Sequence, residues 1–166
     1  PEELSVLRKL LPTLDMAARP VDLFEREQPH IWSLPVRSAI GDWVLVALFN
    51  WDADASQKLP VNIDRLGLHP DGYYAVYGFW EETYHGIAHR SFDVTVPPGG
   101  VRLLALRPYE GHPMFLSTDR HFSQGATDFT ALDWSETQGV LRGAFNAAAD
   151  THYALKLLVP EAYEPI

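Results

Sequence analysis

The sequence contains no cysteine and only two methionines. Without cysteine, neither a disulfide framework nor a thiolate metal site can form. Positive charge is also scarce, because 13 Lys and Arg stand against 22 Asp and Glu, for a formal net charge of -9. No basic run is longer than the dipeptide Arg8-Lys9. A surface of this sign does not attract phosphate backbones or anionic lipids, so we predict neither nucleic acid nor membrane as a partner.

Long hydrophobic runs and a leader are missing as well. The longest apolar run, Trp43 to Phe49, is far shorter than the ~20 residues that span a bilayer. The first residues lack the basic-then-apolar order of a signal peptide. We therefore predict a soluble chain of unknown compartment. Because it opens at Pro1 inside a predicted helix and without Met, we expect it to be a piece of a longer polypeptide.

The amino-terminal part shows helical spacing followed by an irregular stretch. The predicted helix Glu2 to Leu11 carries apolar residues three and four apart, and Pro12 ends it. These apolar residues are Leu4, Leu7, Leu10 and Leu11. From residue 13 to 35 there is neither a helical nor a strand period, which predicts an irregular connecting segment. Its bulky side chains, such as Phe24 and Trp32, indicate that the segment lies against another surface.

From Ile40 onwards the periods are those of strands. Short apolar or alternating segments are separated by turn residues such as Pro97-Pro98-Gly99-Gly100. The segments are 43–49, 59–63, 73–80, 91–96, 101–106, 113–116, 129–134, 140–145 and 153–159, with a helical turn at 64–68. This pattern predicts an all-β fold, an antiparallel β-sandwich of about eight or nine strands with a short amino-terminal helix and an irregular linker. We assign 1–38 to the end of an upstream region and a linker, and 39–166 to the sandwich, with 109–166 either an extension of it or a separate unit.

Two sets of polar residues suggest chemistry, but their spacing argues against it. His85 and His89 would lie ~13 Å apart in an extended segment, too far for a metal bonded at ~2 Å to each. Asp119, His121 and Ser123 share one face of an extended segment. Side chains two residues apart there stand ~6 to 7 Å from each other, whereas a nucleophile and its base need ~3 Å. We predict neither a metal site nor a triad.

The remaining candidates are acidic and aromatic. Glu81 and Glu82 are adjacent and would point to opposite sides of an extended chain, so they do not form the carboxylate pair of a glycosidase. No phosphate-binding glycine loop, calcium loop or dinucleotide motif occurs, and we predict no catalytic residue, metal or cofactor. Trp51 and Trp80, near predicted strand ends, either stack on sugars or pack on the core of the sandwich.

Three stretches together resemble the region that follows the catalytic barrel in α-galactosidase-type glycoside hydrolases, the clan of families 27 and 36 and the raffinose-synthase-like enzymes. They are "ARPVDLFEREQPHIWSLP", "WVLVALFNWD", and "YYAVYGFWEETYHG" continuing to "VTVPPGGVRLLALRP". The likeness covers about 13–108 and implies a carboxy-terminal β-sandwich. Two departures are Gly78, where the family usually has Asp, and Gly99, where His is common.

The resemblance implies a function for the parent enzyme rather than for this chain. The clan's nucleophile and acid/base are aspartates on the barrel, upstream of these residues, so no catalytic residue is carried over. The predicted helix would be the barrel's last one, and Trp51 would be a lid at the strand exit. We expect a non-catalytic accessory domain that supports the upstream barrel through Leu4, Leu7, Leu11, Phe24 and Trp32. The alternatives are a carbohydrate-binding module, through Trp51 or Trp80, and an oligomerisation domain.

Overall fold

A computed structural model describes residues 2–147 and 150–164. In these residues the chain forms one α-helix, twelve β-strands and a short 3-10 turn at Asp64–Leu66. The helix α1 is Glu2–Leu10, and the strands are β1 Arg19–Pro20, β2 Ile31–Ser38, β3 Gly41–Phe49, β4 Gln57–Asn62, β5 Tyr73–Gly78, β6 Thr83–His89, β7 Ser91–Val96, β8 Val101–Pro108, β9 Met114–Thr118, β10 Phe129–Ser135, β11 Val140–Phe145 and β12 Leu155–Leu158. The predicted all-β sandwich fold is confirmed, with more strands than the eight or nine expected.

The strands form three antiparallel sheets. The largest has the order β1-β2-β3-β8-β5-β6-β7-β4, and the others are the pairs β10-β11 and β12-β9. In the large sheet, β6 and β7 share only the pair His89 and Ser91. Arg90 between them has φ +61°, a left-handed conformation that turns the chain sharply. The β7-β4 ribbon can therefore lie across the inner face of the other strands.

The main core lies between the central strands and this ribbon. The alternating sequence of β7 places Val94 and Val96 in the core, and β4 adds Leu59 and Val61. They pack in one cluster with Val46 of β3 and with the inward residues of β5 and β8. Alternation with period two thus determines which face of each strand is buried.

The outer face of the central strands is covered as well. Trp43 and Leu45 of β3 point to this side and form a second cluster, against which Phe122 packs. Leu116 of β9 packs against Ala75 and Tyr77 of β5 in a third cluster. Because both faces of β3 are covered, its sequence is a continuous apolar run rather than an alternating one.

Three strands were not predicted: the two-residue β1 and the longer β2 and β6. Ile31–Ser38 pairs with β3 along its whole length, so the expectation of an irregular segment up to residue 35 is wrong there. Pro35 interrupts the strand period, although it is exposed in the strand. Thr83–His89 pairs with β5, but its mostly exposed residues and a register shift between Val76 and Tyr77 hide the period.

Candidate functional site

A cleft of about 580 Å³ opens where the β10-β11 pair meets the large sheet. We call it the hairpin cleft. Its walls come from the β2-β3 turn, the end of β8 with the loop into β9, and the facing parts of β10 and β11. The lining residues are Ile40, Gly41, Asp42, Arg107, Pro108, Glu110, His112, Pro113, Met114, Phe115, Leu132, Asp133, Trp134 and Leu141. The lining is about equally polar and apolar, and the volume is in the usual range of ligand sites.

Arg107 is a buried cation in the wall of the hairpin cleft, only 5% exposed. Its guanidinium carbon lies 3.7 Å from the centre of the Trp43 ring and 4.9 Å from that of Phe115. Its Nε donates to the Leu116 carbonyl at 2.9 Å, and Nη2 donates to the Gln124 carbonyl. Burial lowers the pKa of Arg107 to about 9, so the group remains charged at pH 7. No ion pair with Arg107 occurs among residues 2–147 and 150–164.

An aromatic pair forms another wall of the hairpin cleft. The Trp134 and His112 rings are nearly parallel, at 6° and 5.1 Å between centres, and Tyr163 packs edge-on against Trp134 at 5.4 Å. Trp134 Nε1 donates to Glu136 at 2.6 Å. His112 Nδ1 donates to the Pro113 carbonyl at 2.9 Å. These contacts hold the indole in a single orientation.

Three carboxylates complete the polar lining. Asp42, Glu110 and Asp133 are all exposed side chains around Arg107 and the aromatic pair. Carboxylates accept hydrogen bonds, whereas a guanidinium only donates them. The hairpin cleft therefore offers both acceptors and donors beside an apolar surface.

The leucines predicted to contact another domain lie on an exposed helix. Leu4, Leu7 and Leu11 are 60%, 49% and 57% exposed. With Arg8, Arg120 and Thr151 they line a groove of about 620 Å³. The helix is held to the β-sheet domain at its end, because the Phe122 N–H donates to the Lys9 carbonyl at 2.9 Å.

Phe24 and Trp32 were predicted for the same contact, but they differ in how much of each side chain is exposed. Phe24 is 98% exposed in the loop before β2. Trp32 is half-buried in β2, paired with Pro20 on one side and Ala47 on the other. Phe24 thus presents a free apolar ring, whereas Trp32 is already part of the sheet.

Trp51 lies in the loop just after β3, between two polar residues, Asn50 and Asp52, that form the hydrogen bonds of this loop. Its ring stacks on Phe49 at 5.2 Å between centres, its Nε1 donates to the Pro29 carbonyl at 3.0 Å, and half of the side chain is exposed. The preceding Asn50 is buried. Its amide donates to the carbonyls of Ala55, Val96 and Pro97, and its Oδ1 accepts the Asp52 N–H.

Asp52 closes the same loop. Its Oδ1 accepts the N–H groups of Asp54 and Ala55 at 2.8 and 3.1 Å. These two backbone hydrogen bonds lower the pKa of the Asp52 carboxyl. The polar residues after β3 therefore organise a loop and tie it to the end of β7.

Trp80 lies in the turn between β5 and β6. It is 38% exposed and packs edge-on against Phe79, and Lys9 Nζ lies 5.8 Å from its ring centre. The next residue, Glu81, faces His85 at 3.2 Å and Arg102 at 3.7 Å. A Cβ added to Gly78 would collide with the Glu81 carboxylate, so glycine at this position makes room for it.

His121 and Ser123 are closer than an extended segment allows. The residues form a turn, and Ser123 Oγ donates to His121 Nδ1 at 2.7 Å while His121 Nε2 donates to the Pro12 carbonyl at 2.8 Å. The predicted separation was wrong because the segment is not a strand. Both side chains are buried, and Asp119 instead accepts the Ala154 N–H. The pair links Pro12, just after α1, to the loop between β9 and β10 rather than facing solvent.

The other sequence candidates do not converge. His85 contacts Glu81, whereas His89 stacks on Tyr73 and Glu82 pairs with Lys156 at 2.9 Å. In the described part of the chain, no group of three or more His, Cys, Asp or Glu side chains could hold a metal ion. No helix there has the length and apolar character needed to cross a membrane.

Sequence reasoning did not single out Arg107, His112 or the hairpin cleft. A signal for Arg107 existed, because it continues the alternation of Leu103 and Ala105 on the outer face of β8. A charged residue at such a position is unusual and indicates a buried polar group with special partners. Nothing in the sequence places Trp134 beside His112.

Comparison with known proteins gives a family-model match over most of the large sheet. Residues 27–106 match the family model described as the alpha galactosidase C-terminal beta sandwich domain. This segment runs from the loop before β2 to nearly the end of β8 and leaves the hairpin cleft mostly outside. A comparison with curated proteins gives no match.

Comparison with solved structures gives partial matches to glycoside hydrolases. Alpha-galactosidase I from Mortierella vinacea is 19% identical, with a TM-score of 0.43, and the match covers 54% of this chain and 22% of that one. A family 27 β-L-arabinopyranosidase from Geobacillus stearothermophilus is 18% identical, with a TM-score of 0.46 and coverage of 57% and 20%. The chain spans about a fifth of the length of the solved structures it matches. Residues 27–106 are thus similar to alpha galactosidase C-terminal beta sandwich domains.

Proposed function

We propose that this chain is the non-catalytic carboxy-terminal domain of an α-galactosidase-like glycoside hydrolase, and that it stabilises the catalytic barrel that precedes it. The family of residues 27–106 supports the place of the domain in such an enzyme. The proposal that the domain stabilises the barrel rests on the exposed leucines at the amino-terminal helix. Substrate chemistry is assigned to aspartates of the barrel, as the resemblance of the sequence implies.

The helix has the properties of an interface element. With the next residue, Leu11, it exposes Leu4 and Leu7 in a groove that Arg120 and Thr151 also line. Burying one leucine side chain stabilises by about 1.5–3 kcal/mol, so three would contribute several kcal/mol to an interface. The exposed Phe24 would add a further apolar contact.

The test compares one variant in two contexts. Leu7→Glu in the complete enzyme is expected to lower the free energy of unfolding by about 2 kcal/mol or more, because a charge would enter an apolar contact. In the 166-residue chain alone the same variant should change it by less than about 0.5 kcal/mol, because Leu7 is exposed. The measurement is urea unfolding of both proteins.

The matched control is Leu157→Glu, which alters a leucine of similar exposure, 54%, on β12. Leu157→Glu should change the free energy of unfolding by the same amount in the complete enzyme and in the 166-residue chain. Equal effects of Leu7→Glu in the two contexts would contradict the interface. Hydrolysis of an α-galactoside by the 166-residue chain alone, abolished by changing one of its own acidic residues, would contradict the non-catalytic role.

The competing proposal of sugar stacking at Trp51 or Trp80 has a less favourable geometry. The ring of Trp51 is covered on one side by Phe49, and its indole N–H is already used by Pro29. Trp80 is flanked by Phe79 and the Lys9 ammonium. These two positions remain predictions that titration of Trp51→Ala and Trp80→Ala with galactosides would test.

A further inference from the structure

We propose that the hairpin cleft is a binding site for a neutral sugar unit. This goes beyond the proposed support of the barrel, because it assigns a ligand to residues that mostly lie after the matched segment 27–106. The proposal rests on three features that meet in one place. They are a cleft of suitable size, hydrogen-bonding groups of both kinds, and a fixed apolar wall.

The hairpin cleft is lined by charges of both signs. An anion would meet the carboxylates of Asp42, Glu110 and Asp133. A cation would meet the guanidinium of Arg107, which is buried and has no carboxylate against it in the described residues. A hydroxyl group donates to a carboxylate and accepts from a guanidinium, so a polyol satisfies both kinds of group without net charge.

The walls suit the carbon skeleton of a sugar. Leu132, Met114 and Leu141 line the cleft together with the Trp134 ring and can pack against C–H groups. The cleft, at about 580 Å³, is within the range of small-ligand sites. One sugar unit with part of a second is the class of ligand that this space and lining fit.

The aromatic wall is ordered before any ligand binds. Trp134 is held by the parallel His112 ring, by the edge of Tyr163 and by the hydrogen bond from its Nε1 to Glu136. Arg107 is likewise held between Trp43 and Phe115. Groups that are already fixed lose little conformational entropy on binding, which favours affinity.

The test is calorimetric titration of the complete enzyme with galactose, arabinose and a galactomannan oligosaccharide. The choice of galactose-containing probes rests on the proposed parent enzyme. We expect two binding events, one of which is weakened about tenfold in Asp133→Asn, since a charged hydrogen-bond acceptor is lost. Trp134→Ala should weaken the same event at least as much.

The matched control is Asp54→Asn, which alters an exposed aspartate outside the cleft. It should leave both binding events unchanged. Since Trp134→Ala could disturb the β10-β11 pair, Asp133→Asn is the deciding variant, with near-UV circular dichroism as the check of folding.

Two results would overturn the proposal. One is unchanged binding of every probe in both cleft variants. The other is binding of a quaternary ammonium compound, but of no sugar, that Asp133→Asn abolishes. Neither result depends on the helix α1 experiment, which measures unfolding rather than ligand binding, so failure of the support role is distinguishable.

Discussion

Replacing Asn50 tests the explanation given for the loop after β3. Asn50 is 2% exposed, and its amide donates to the carbonyls of Ala55, Val96 and Pro97 at 2.8, 3.2 and 2.9 Å. Alanine at this position would leave these acceptors without the amide and would release the Asp52 N–H from Oδ1. The loop would then lose the hydrogen bonds by which Asn50 ties it to the end of β7.

The expected cost follows from the number of groups left unsatisfied. A buried polar group without a partner costs about 1–3 kcal/mol. Because Val96 is fully buried while the Ala55 carbonyl lies in an exposed loop, we count one to two such groups. The free energy of unfolding should therefore fall by about 2–4 kcal/mol, a large part of the ~5–15 kcal/mol typical of a domain.

The assay is urea unfolding followed by tryptophan fluorescence, in which the midpoint should fall while the slope m stays constant. Asn50→Asp should cost at least as much, because a carboxylate cannot donate to the carbonyls and would repel them. The control Asn62→Ala, at an exposed position of β4, should stay within about 0.5 kcal/mol. A loss below about 0.5 kcal/mol for Asn50→Ala would refute the reasoning.

Three further variants test other contacts. Leu116→Ala should reduce the free energy of unfolding by about 2–5 kcal/mol by opening a cavity against Ala75 and Tyr77, whereas the exposed Leu157→Ala should be nearly neutral in the same urea assay. Arg107→Lys should lower the melting temperature, measured by scanning calorimetry, by about 2–10 °C. The reason is that an ammonium cannot stack flat on Trp43 and also donate to the carbonyls of Leu116 and Gln124. Burial lowers the pKa of His121, so the unfolded chain binds more protons and stability should fall as the pH drops through and below ~6.5. His121→Gln should flatten this slope in thermal scans between pH 8 and 5.

Much of the large sheet could be predicted from local sequence, because burial on one face forces alternation. Ser91–Val96 in the large sheet and Val140–Phe145 in the β10-β11 pair were both predicted with the bounds that the structure shows. The Pro97 to Gly100 turn likewise precedes β8 as expected, with Gly99 at φ +57°. These features depend on neighbours in the chain, which is why a period of two reveals them.

Other features depend on partners distant in sequence. Residues 31–38 become a strand because β3 offers a complete edge, despite Pro35. His121 reaches Ser123 because the chain turns where it meets the end of α1. Neither effect has a local period, so sequence patterns could not predict them.

The sequence by itself determined the all-β class, the faces that are buried and the likeness of residues 27–106 to a known family of domains. Only the tertiary structure decided where side chains from separate strands meet. Asp42, Arg107 and Trp134 share the hairpin cleft although they lie far apart in the chain. The physical reason is that alternation specifies which face a residue occupies, whereas the packing of whole layers specifies which residue it faces.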